Sequence, residues 1–532
     1  MLKVSLWLLA APPTFLFLYF IAKPVVVYFY DEKDLRKYPN QNPFSGITNL
    51  APVWERVRGF RTRHLYEQHK TQPIIRLGPN SLSFADIRAI KDIYGHNTPC
   101  RKDDQYSVAA GAHFNLLDVV DKNDHARKRK LLSNAFATRN LEAWEFKVSD
   151  KVEKMMVQFD KRCTAPLPKG QLPRPEELTV NFRKWSNLFT VDAIADIALS
   201  ETLGLLGSAD DTLLIDNHDG TKEKLNFVES LHGGNRATSL IIWSTDWYHI
   251  TKPLTSILSG YFKKQWQHGR NYSKIVGHLV QRRLHKHLVG EPLDDFLACL
   301  LQDKQGLPRS LPRGEIEAEV NVMTIVVNAG SDTTAIALTH ALYYLIKNPC
   351  ALVKLRDEVA STMSDKDGIA KYVDVKNLPY LRACLDESLR ISPPVSFGLV
   401  RQTPPGGMEI LGKYISGNTV VSLPAYVAHR DPVMFPNPEE YRPERWLEDE
   451  DKAKKMHTYF IPFSTGARGC IGRNISYLEQ QVLIATLVHR YDFALPTNDW
   501  ELKWEEAFNL WPNQLPLKVW RREHGATALV QS

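Results

Sequence analysis

Cysteine is scarce and scattered. The 532 residues include six, at positions Cys100, Cys163, Cys299, Cys350, Cys384 and Cys470. No two form a CxxC pair and none joins histidines at zinc spacing, which argues against structural zinc and iron–sulfur centres. Nor is the spacing that of a disulfide framework, as expected of a chain that folds in a reducing compartment. No nucleic-acid-binding module is present, although the net charge is +7. Part of that charge is the run Arg127-Lys128-Arg129-Lys130, a solvated face that also suits an acidic protein partner or anionic lipid. With 43% hydrophobic and 24% charged residues, the composition is ordinary for a globular protein with a sizeable core.

The N-terminus is different. Val4 to Ala22 is almost wholly apolar, and a membrane-spanning helix needs roughly 20 such residues. Pro12-Pro13 would kink or shorten it. No small-residue cleavage site follows, since the run continues through Lys23 into Val25–Tyr30, so an uncleaved anchor over residues 1–30 is expected. Lys33, Arg36 and Lys37 follow the run and only Lys3 precedes it, which places the bulk of the chain in the cytosol. Residues 31–50, with Tyr38-Pro39 and Pro43, read as a stiff hinge, and 51–532 as one globular domain. Asn271-Tyr-Ser273 and Asn474-Ile-Ser476 match the glycosylation pattern by chance if that domain is cytosolic.

Within the domain, Pro73–Leu77 and Ser81–Phe84 flank Gly78-Pro79-Asn80 and predict a hairpin. Ala85–Tyr94 predicts a helix, and Asn181–Leu199 an amphipathic one. His125 and Arg129, four apart, share a helix face and suit an anionic partner. Glu315–Lys347 has no proline and predicts one long helix, about 50 Å at 1.5 Å per residue. Its middle, Ala329-Gly330-Ser331-Asp332-Thr333-Thr334, is unusual, because glycine weakens a helix and hydroxyls compete for its backbone bonds. Leu381–Ile391 is a helix with Glu387 and Arg390 three apart, and Val420–Pro424 reads as a strand.

The most informative stretch is Phe463-Ser-Thr-Gly466-Ala-Arg468-Gly-Cys470-Ile-Gly472. Glycines crowd the cysteine on both sides and let a flat ligand approach the backbone. Arg468 and the start of a helix over Arg473–His489 both favour thiolate over thiol. This loop resembles the haem-binding loop of the cytochrome P450 family, whose fixed Phe, Gly, Arg, Cys and Gly positions are all met. Ala329–Thr334 resembles that family's oxygen-activation signature. Glu387/Arg390, followed by Phe435 to Trp446 with Arg445, resembles its Glu-x-x-Arg and Pro-Glu-Arg-Phe pair. The resemblance covers roughly residues 35 to 525.

The resemblance implies a mainly α fold with small β-sheets, here preceded by an N-terminal transmembrane helix. It implies haem b, with Cys470 as the iron ligand and Phe463, Gly466 and Arg468 in the cofactor loop. His125, standing where the family commonly has Trp, is assigned with Arg129 and Arg401 to the haem propionates. Thr333 is assigned to oxygen binding and proton delivery and Asp332 to the relay. Glu387, Arg390 and Arg445 form a structural charge network, and His429 is structural. Residues 101–117 and 393–399 and the tail at Phe508–Trp511 border the substrate.

The implied activity is monooxygenation: one oxygen atom from O2 inserted into a small apolar substrate, as a tailoring step in fungal secondary metabolism. The alternatives are hydroxylation of a benzoate-like aromatic acid or a xenobiotic and, from another class, oxygen-independent haem-thiolate isomerisation or dehydration. No flavin or nicotinamide domain follows the Cys470 loop, so electrons are expected from NADPH–cytochrome P450 reductase, with cytochrome b5 as a second donor. The expected location is the endoplasmic reticulum membrane, crossed once, with the catalytic domain in the cytosol.

Overall fold

Proline and glycine punctuate a largely helical chain, and the boundaries of its elements follow from them. The computed structural model describes residues 18–523 apart from 50–52, 56–58, 109–113, 134, 217–219, 243–244, 292–294, 303–312, 364 and 366. Most of the expected anchor, with Gly111 and His113 of the substrate-bordering stretch, lies outside the described residues. From Leu18 the chain is helical: a π-helical turn, Leu18–Ala22, runs into α1 (Lys23–Tyr30). Among the described residues no helix is long and apolar enough to cross a membrane.

The expected hairpin forms from β1 (Ile74–Gly78) and β2 (Ser81–Phe84), antiparallel, with the register slipping between Arg76 and Gly78. Arg76 closes its turn, Nη2 donating to the Pro79 carbonyl at 2.6 Å. The helix expected from Ala85 starts later, as α2 (Ala89–Tyr94), because Asp86 accepts from the Arg88 N–H at 2.9 Å and holds a local turn. β3 (Arg101–Lys102) then leads to α3 (Lys122–Leu132), capped by the Asp121 side chain, and α4 (Glu145–Asp160).

After β4 (Val180–Asn181) comes α5 (Phe182–Leu199). It is not amphipathic as expected: all its residues except Lys184 and Asp196 are buried. Its polar groups are consumed internally. Asp192 accepts from the N–H groups of Leu205 and Leu206 at 3.2 and 2.9 Å. The roof follows as α6 (Phe227–Ile241), α7 (Tyr248–Leu258) and α8 (Gly260–Leu288). α6 and α8 cross closely at Gly234 and Gly269, where a Cβ on Gly234 would lie 3.0 Å from the Gly269 Cα.

The long helix is α9 (Arg313–Lys347). It ends where Asn348 leaves helical geometry ahead of Pro349, which opens α10 (Pro349–Ala360). Pro379 likewise opens α11 (Pro379–Ile391). β5 (Arg401–Gln402) and β6 (Val420–Ser422) complete a five-stranded sheet in the order β1-β2-β6-β5-β3. α12 (Arg473–Arg490) starts behind Gly472. A three-stranded sheet joins β7 (Tyr491–Ala494) and β10 (Pro516–Arg521) to β4, and β8 (Trp504–Glu506) pairs with β9 (Leu510–Pro512).

The main core lies among α4, α5, α9, α11 and α12, with Phe159, Phe182, Leu338, Leu385 and Leu483 fully enclosed. α9 crosses it. Gly330 allows α9 to meet α5 closely, since a Cβ there would lie 3.0 Å from the Ile194 side chain. This fold is mainly helical with small sheets, as expected.

Candidate active site

Cys470 sits at the junction of its glycine loop with α12. Its N–H donates to the Phe463 carbonyl at 2.8 Å, which closes the loop. Gly466 stands at φ +68°, and a Cβ there would collide with the Tyr94 carbonyl oxygen. This glycine therefore permits a backbone approach to α2 rather than a ligand contact. The Phe463 ring lies 5.2 Å from that of Tyr477. Burial pushes the Cys470 thiol up, while the Gly472 and Arg473 N–H groups and the Arg129 guanidinium pull it back.

The thiol opens onto a cavity of about 430 Å³. Two walls define it. One is the Cys470 loop with α3. The other is α9, which presents Asn328, Ala329, Gly330 and Thr333, together with Asn235 of the roof helix α6. Leu116, Ile194, Val395, Phe397 and Phe508 supply apolar lining. Phe508, in the turn of the β8–β9 hairpin, meets Phe397 edge-on at 5.4 Å. Leu510 N–H anchors that hairpin to the Pro394 carbonyl at 2.8 Å. The tail and the 393–399 segment thus border the cavity, as does the described part of 101–117.

Basic groups gather on the Cys470 side. His125, Arg129 and Arg468 line the cavity with Lys102, from the 101–117 stretch expected to border the substrate but not singled out there. Arg129 Nη1 donates to the Gly469 carbonyl at 2.7 Å, so the helix-face pair is tied to the cysteine loop itself. Arg468 donates to the Val119 and Val120 carbonyls at 2.8 Å each. Lys102 reaches the Leu117 carbonyl at 2.5 Å. Arg401 lies behind this wall, its guanidinium 5.1 Å from the centre of the Tyr94 ring. Burial and the neighbouring Arg468 and Arg401 push Lys102 down to about 7, and burial with Arg468 and Lys102 pushes His125 down to about 3. Burial and Arg401 lower Arg468 to about 10.

Among the described residues lining the cavity there is no carboxylate. Crowded, desolvated basic groups whose nearest carboxylates, Asp118 and Asp121, stand outside the lining fit a ligand that brings its own acid groups. A flat macrocycle with two carboxylates over a cysteine sulfur meets that demand. The residues present therefore fit a haem.

On α9, Thr333 Oγ1 donates back to the Ala329 carbonyl at 2.7 Å, and Thr334 Oγ1 donates to Ser476 Oγ of α12 at 3.0 Å. Asp332 points away into the core. Its Oδ1 accepts from Arg183 Nη2 at 3.0 Å and His232 Nε2 at 2.9 Å; its Oδ2 accepts from Asn509 Nδ2 at 2.6 Å and Trp511 Nε1 at 2.7 Å. Four elements, α5, α6, α9 and the β8–β9 hairpin, converge on one carboxylate. Burial alone would push it up, but His232, Arg183 and Trp511 hold it well below the usual carboxylate range.

A carboxyl held low in the fold contributes stability that is present above its unfolded value and lost as pH falls toward the folded one. Asp332→Asn is expected to cost about 3 kcal/mol at neutral pH, because it leaves the buried Arg183 without its counter-charge. Thermal melting of both proteins from pH 7 downward checks this: the gap should narrow once pH drops below about 4. A gap independent of pH would assign the loss to shape rather than charge.

His429 has no role at the cavity. It is buried, burial and Arg390 push it down to about 3, and its Nε2 accepts from the Ile461 N–H at 2.9 Å. Glu387, Arg390 and Arg445 assemble as expected, with both arginine Nε atoms 2.9 Å from the carboxylate.

A mainly helical protein that sets one cysteine against a long helix, across a cavity rimmed with cations, has the architecture of a haem-thiolate protein. The chain matches the family profile Cytochrome P450 over residues 52–519 and belongs to that family. It is 29% identical to cytochrome P450 monooxygenase efuB of Hormonema carpetanum, with 96% of this chain and 94% of the relative covered. It is also 29% identical to cytochrome P450 monooxygenase astA of Talaromyces wortmannii, over 93% and 92%. It is 27% identical to benzoate 4-monooxygenase bphA of Aspergillus niger, over 91% and 92%. The chain is a cytochrome P450 monooxygenase by family. Membership implies a haem-thiolate cofactor, a redox partner and a small substrate.

Proposed function

We propose that the protein inserts one oxygen atom from O2 into an apolar organic molecule, by hydroxylation or epoxidation, as a tailoring step in fungal secondary metabolism. The observation that carries this reading is Cys470 opening onto the cavity across from Thr333 on α9. The group these residues would hold is haem b, which would supply the oxygen chemistry, with the thiolate donating electron density to it. Cys470 Sγ would be its ligand, Phe463 and Gly466 would shape the loop around it, Arg468, Arg129, Lys102 and Arg401 would offer positive charge to its propionates, and His125, held neutral by burial and its cationic neighbours, would offer a hydrogen bond.

Thr333 Oγ1 keeps two lone pairs free beside its 2.7 Å bond to Ala329, so it can hold a cavity water by accepting its hydrogen bond, and it could donate into the cavity only by turning its own hydrogen away from that carbonyl. Asp332 polarises this end of α9 from behind. The apolar lining excludes bulk water and orients the substrate.

Electrons come from NADPH–cytochrome P450 reductase, with cytochrome b5 as a second donor. The exposed Lys130 of α3, which leans on the Cys470 loop through Arg129, supports an acidic partner there. Residues 1–30 anchor the protein in the endoplasmic reticulum membrane, crossing once, residues 31–50 are a hinge, and 51–532 are the cytosolic domain. Exposed Val26, Val27 and Phe29 on α1 and Ile250, Leu254 and Ile257 on α7 support a membrane-facing side. Tyr19 and Trp247, ring centroids 5.2 Å apart, join the two.

The test is expression in yeast microsomes. The protein is expected to resist carbonate extraction, to give the red-shifted Soret band of a thiolate-ligated haem when reduced under carbon monoxide, and to consume O2 with NADPH and reductase. A Soret band at the position of histidine-ligated haem would end this reading. Substrate turnover without O2 would move the protein to the isomerase or dehydratase class.

A further inference from the structure

The two walls of the cavity differ in chemistry. On the Cys470 side three of the basic groups are tied to backbone carbonyls, and all face the group that Cys470 would hold. Lys102 is tied to the Leu117 carbonyl, Arg129 to Gly469, and Arg468 to Val119 and Val120. The opposite wall carries Asn235 on α6 and Asn328 on α9, beside Asn509, whose Nδ2 is spent on Asp332. Asn235 and Asn328 are half-buried, and neither amide hydrogen-bonds to any described residue. Asparagine is a poor choice for a helix interior, and a partly desolvated amide without a partner is unfavourable in both positions.

The two amides line the same cavity, and their helices are tied to each other nearby. His232 of α6 bonds Asp332 of α9 at 2.9 Å. Asn235 lies three residues beyond His232 and Asn328 four before Asp332. Each is therefore about one helical turn, roughly 5.4 Å, from that contact. Thr333 of α9 lines the same cavity, so the amides share it with the group assigned to oxygen in the proposed function.

We infer that Asn235 and Asn328 form the polar subsite for the substrate, and that the substrate is a neutral molecule bearing hydroxyl or carbonyl oxygens rather than a carboxylate. A carboxamide donates through its NH2 and accepts through its oxygen, so the pair serves alcohols and ketones alike. It offers a carboxylate no charge. An anion on this wall would face apolar side chains and neutral dipoles, since none of the residues that this wall contributes to the lining is a lysine, arginine or histidine. Burying an uncompensated carboxylate there is costly. An apolar skeleton with neutral oxygens matches the remaining lining, Ile194, Val395, Phe397 and Phe508.

This inference rests on the proposed haem-thiolate site, and its test separates the two. Spin-state titrations of the holoprotein would use a matched set: tetralin, 1-tetralol, 1-tetralone and tetralin-1-carboxylate. The alcohol and the ketone are expected to bind about tenfold more tightly than tetralin, the value of one well-made hydrogen bond. The carboxylate is expected to bind no better than tetralin. In N235L and N328L the advantage of the alcohol and ketone should fall by about tenfold while the reduced carbon monoxide spectrum stays that of the parent, which shows a folded, haem-loaded variant. Tightest binding of the carboxylate, or equal binding of all neutral members, overturns the inference while leaving the haem-thiolate reading intact. Loss of the thiolate spectrum in the parent protein instead overturns the reading beneath it.

Discussion

Cys470→Ser is expected to leave a folded protein without the thiolate Soret band and with turnover at the level of a no-enzyme control. The loop does not depend on the sulfur for its shape. Its closing bond runs from the backbone N–H of residue 470 to the Phe463 carbonyl, and its sharp approach to α2 is permitted by Gly466. Arg468 is held by backbone carbonyls of the 119–120 segment. A serine hydroxyl fills the same space but is not deprotonated at neutral pH by the start of a helix and one guanidinium. The four other described cysteines provide the control. Cys100 and Cys384 are buried, Cys163 is pushed up to about 11 by burial, and none of these or Cys350 lines the cavity. Their alanine variants should keep the band. The paired measurements are far-UV circular dichroism for folding and the reduced carbon monoxide spectrum for ligation. A Cys470→Ser protein with an unchanged band would place the iron on another residue.

Legibility followed sequence distance. The cysteine loop, the hairpin around Gly78-Pro79-Asn80, the helix expected over Leu381–Ile391 and the His125/Arg129 pair are local patterns, and each appears in the fold near its expected bounds. The charge network around Glu387 was legible only through the resemblance, because its arginine at 445 comes 58 positions later. Asp332 shows the limit. Its partners Arg183, His232, Asn509 and Trp511 lie 149, 100, 177 and 179 positions away, and no periodicity announces them. The signal that was available, a carboxylate and alcohol in an apolar helix, marks the place but not what encloses it. α5 misled for the related reason that Arg183, Asn187 and Asp192 look like a solvent face until their buried partners are known. Asn235 carries no local signal, Lys102 only its place in a stretch expected to border the substrate, and Asn328 only that of an amide in an apolar helix. Their meaning comes from the cavity they share.

Glu387→Ala is expected to prevent accumulation of holoprotein, or to lower stability by about 5 kcal/mol where enough folds to measure. Glu387 is fully buried, and its two oxygens accept five hydrogen bonds: two from Arg390 at 2.9 Å, one from Arg445 Nε at 2.9 Å, one from Trp446 Nε1 at 3.0 Å and one from the Arg442 N–H at 3.0 Å. Removing it strands two buried guanidinium groups. Neither can swing to water, because Arg390 Nη1 is also held by the His429 and Pro438 carbonyls and Arg445 Nη1 by that of Pro436. Domain stabilities are typically about 5–15 kcal/mol, so one such loss is a large fraction of the whole. The damage reaches the site through α11, which carries Leu389 in the cavity wall two residues from Glu387. Glu387→Gln keeps the shape and part of the hydrogen bonding while removing the charge, and should fall between the parent and the alanine variant. Denaturant midpoints of the three proteins, with the reduced carbon monoxide spectrum as the readout of native site, order them. Equal midpoints for alanine and parent would mean that the arginines find other partners and that the network is not what holds α11 to the 436–446 segment.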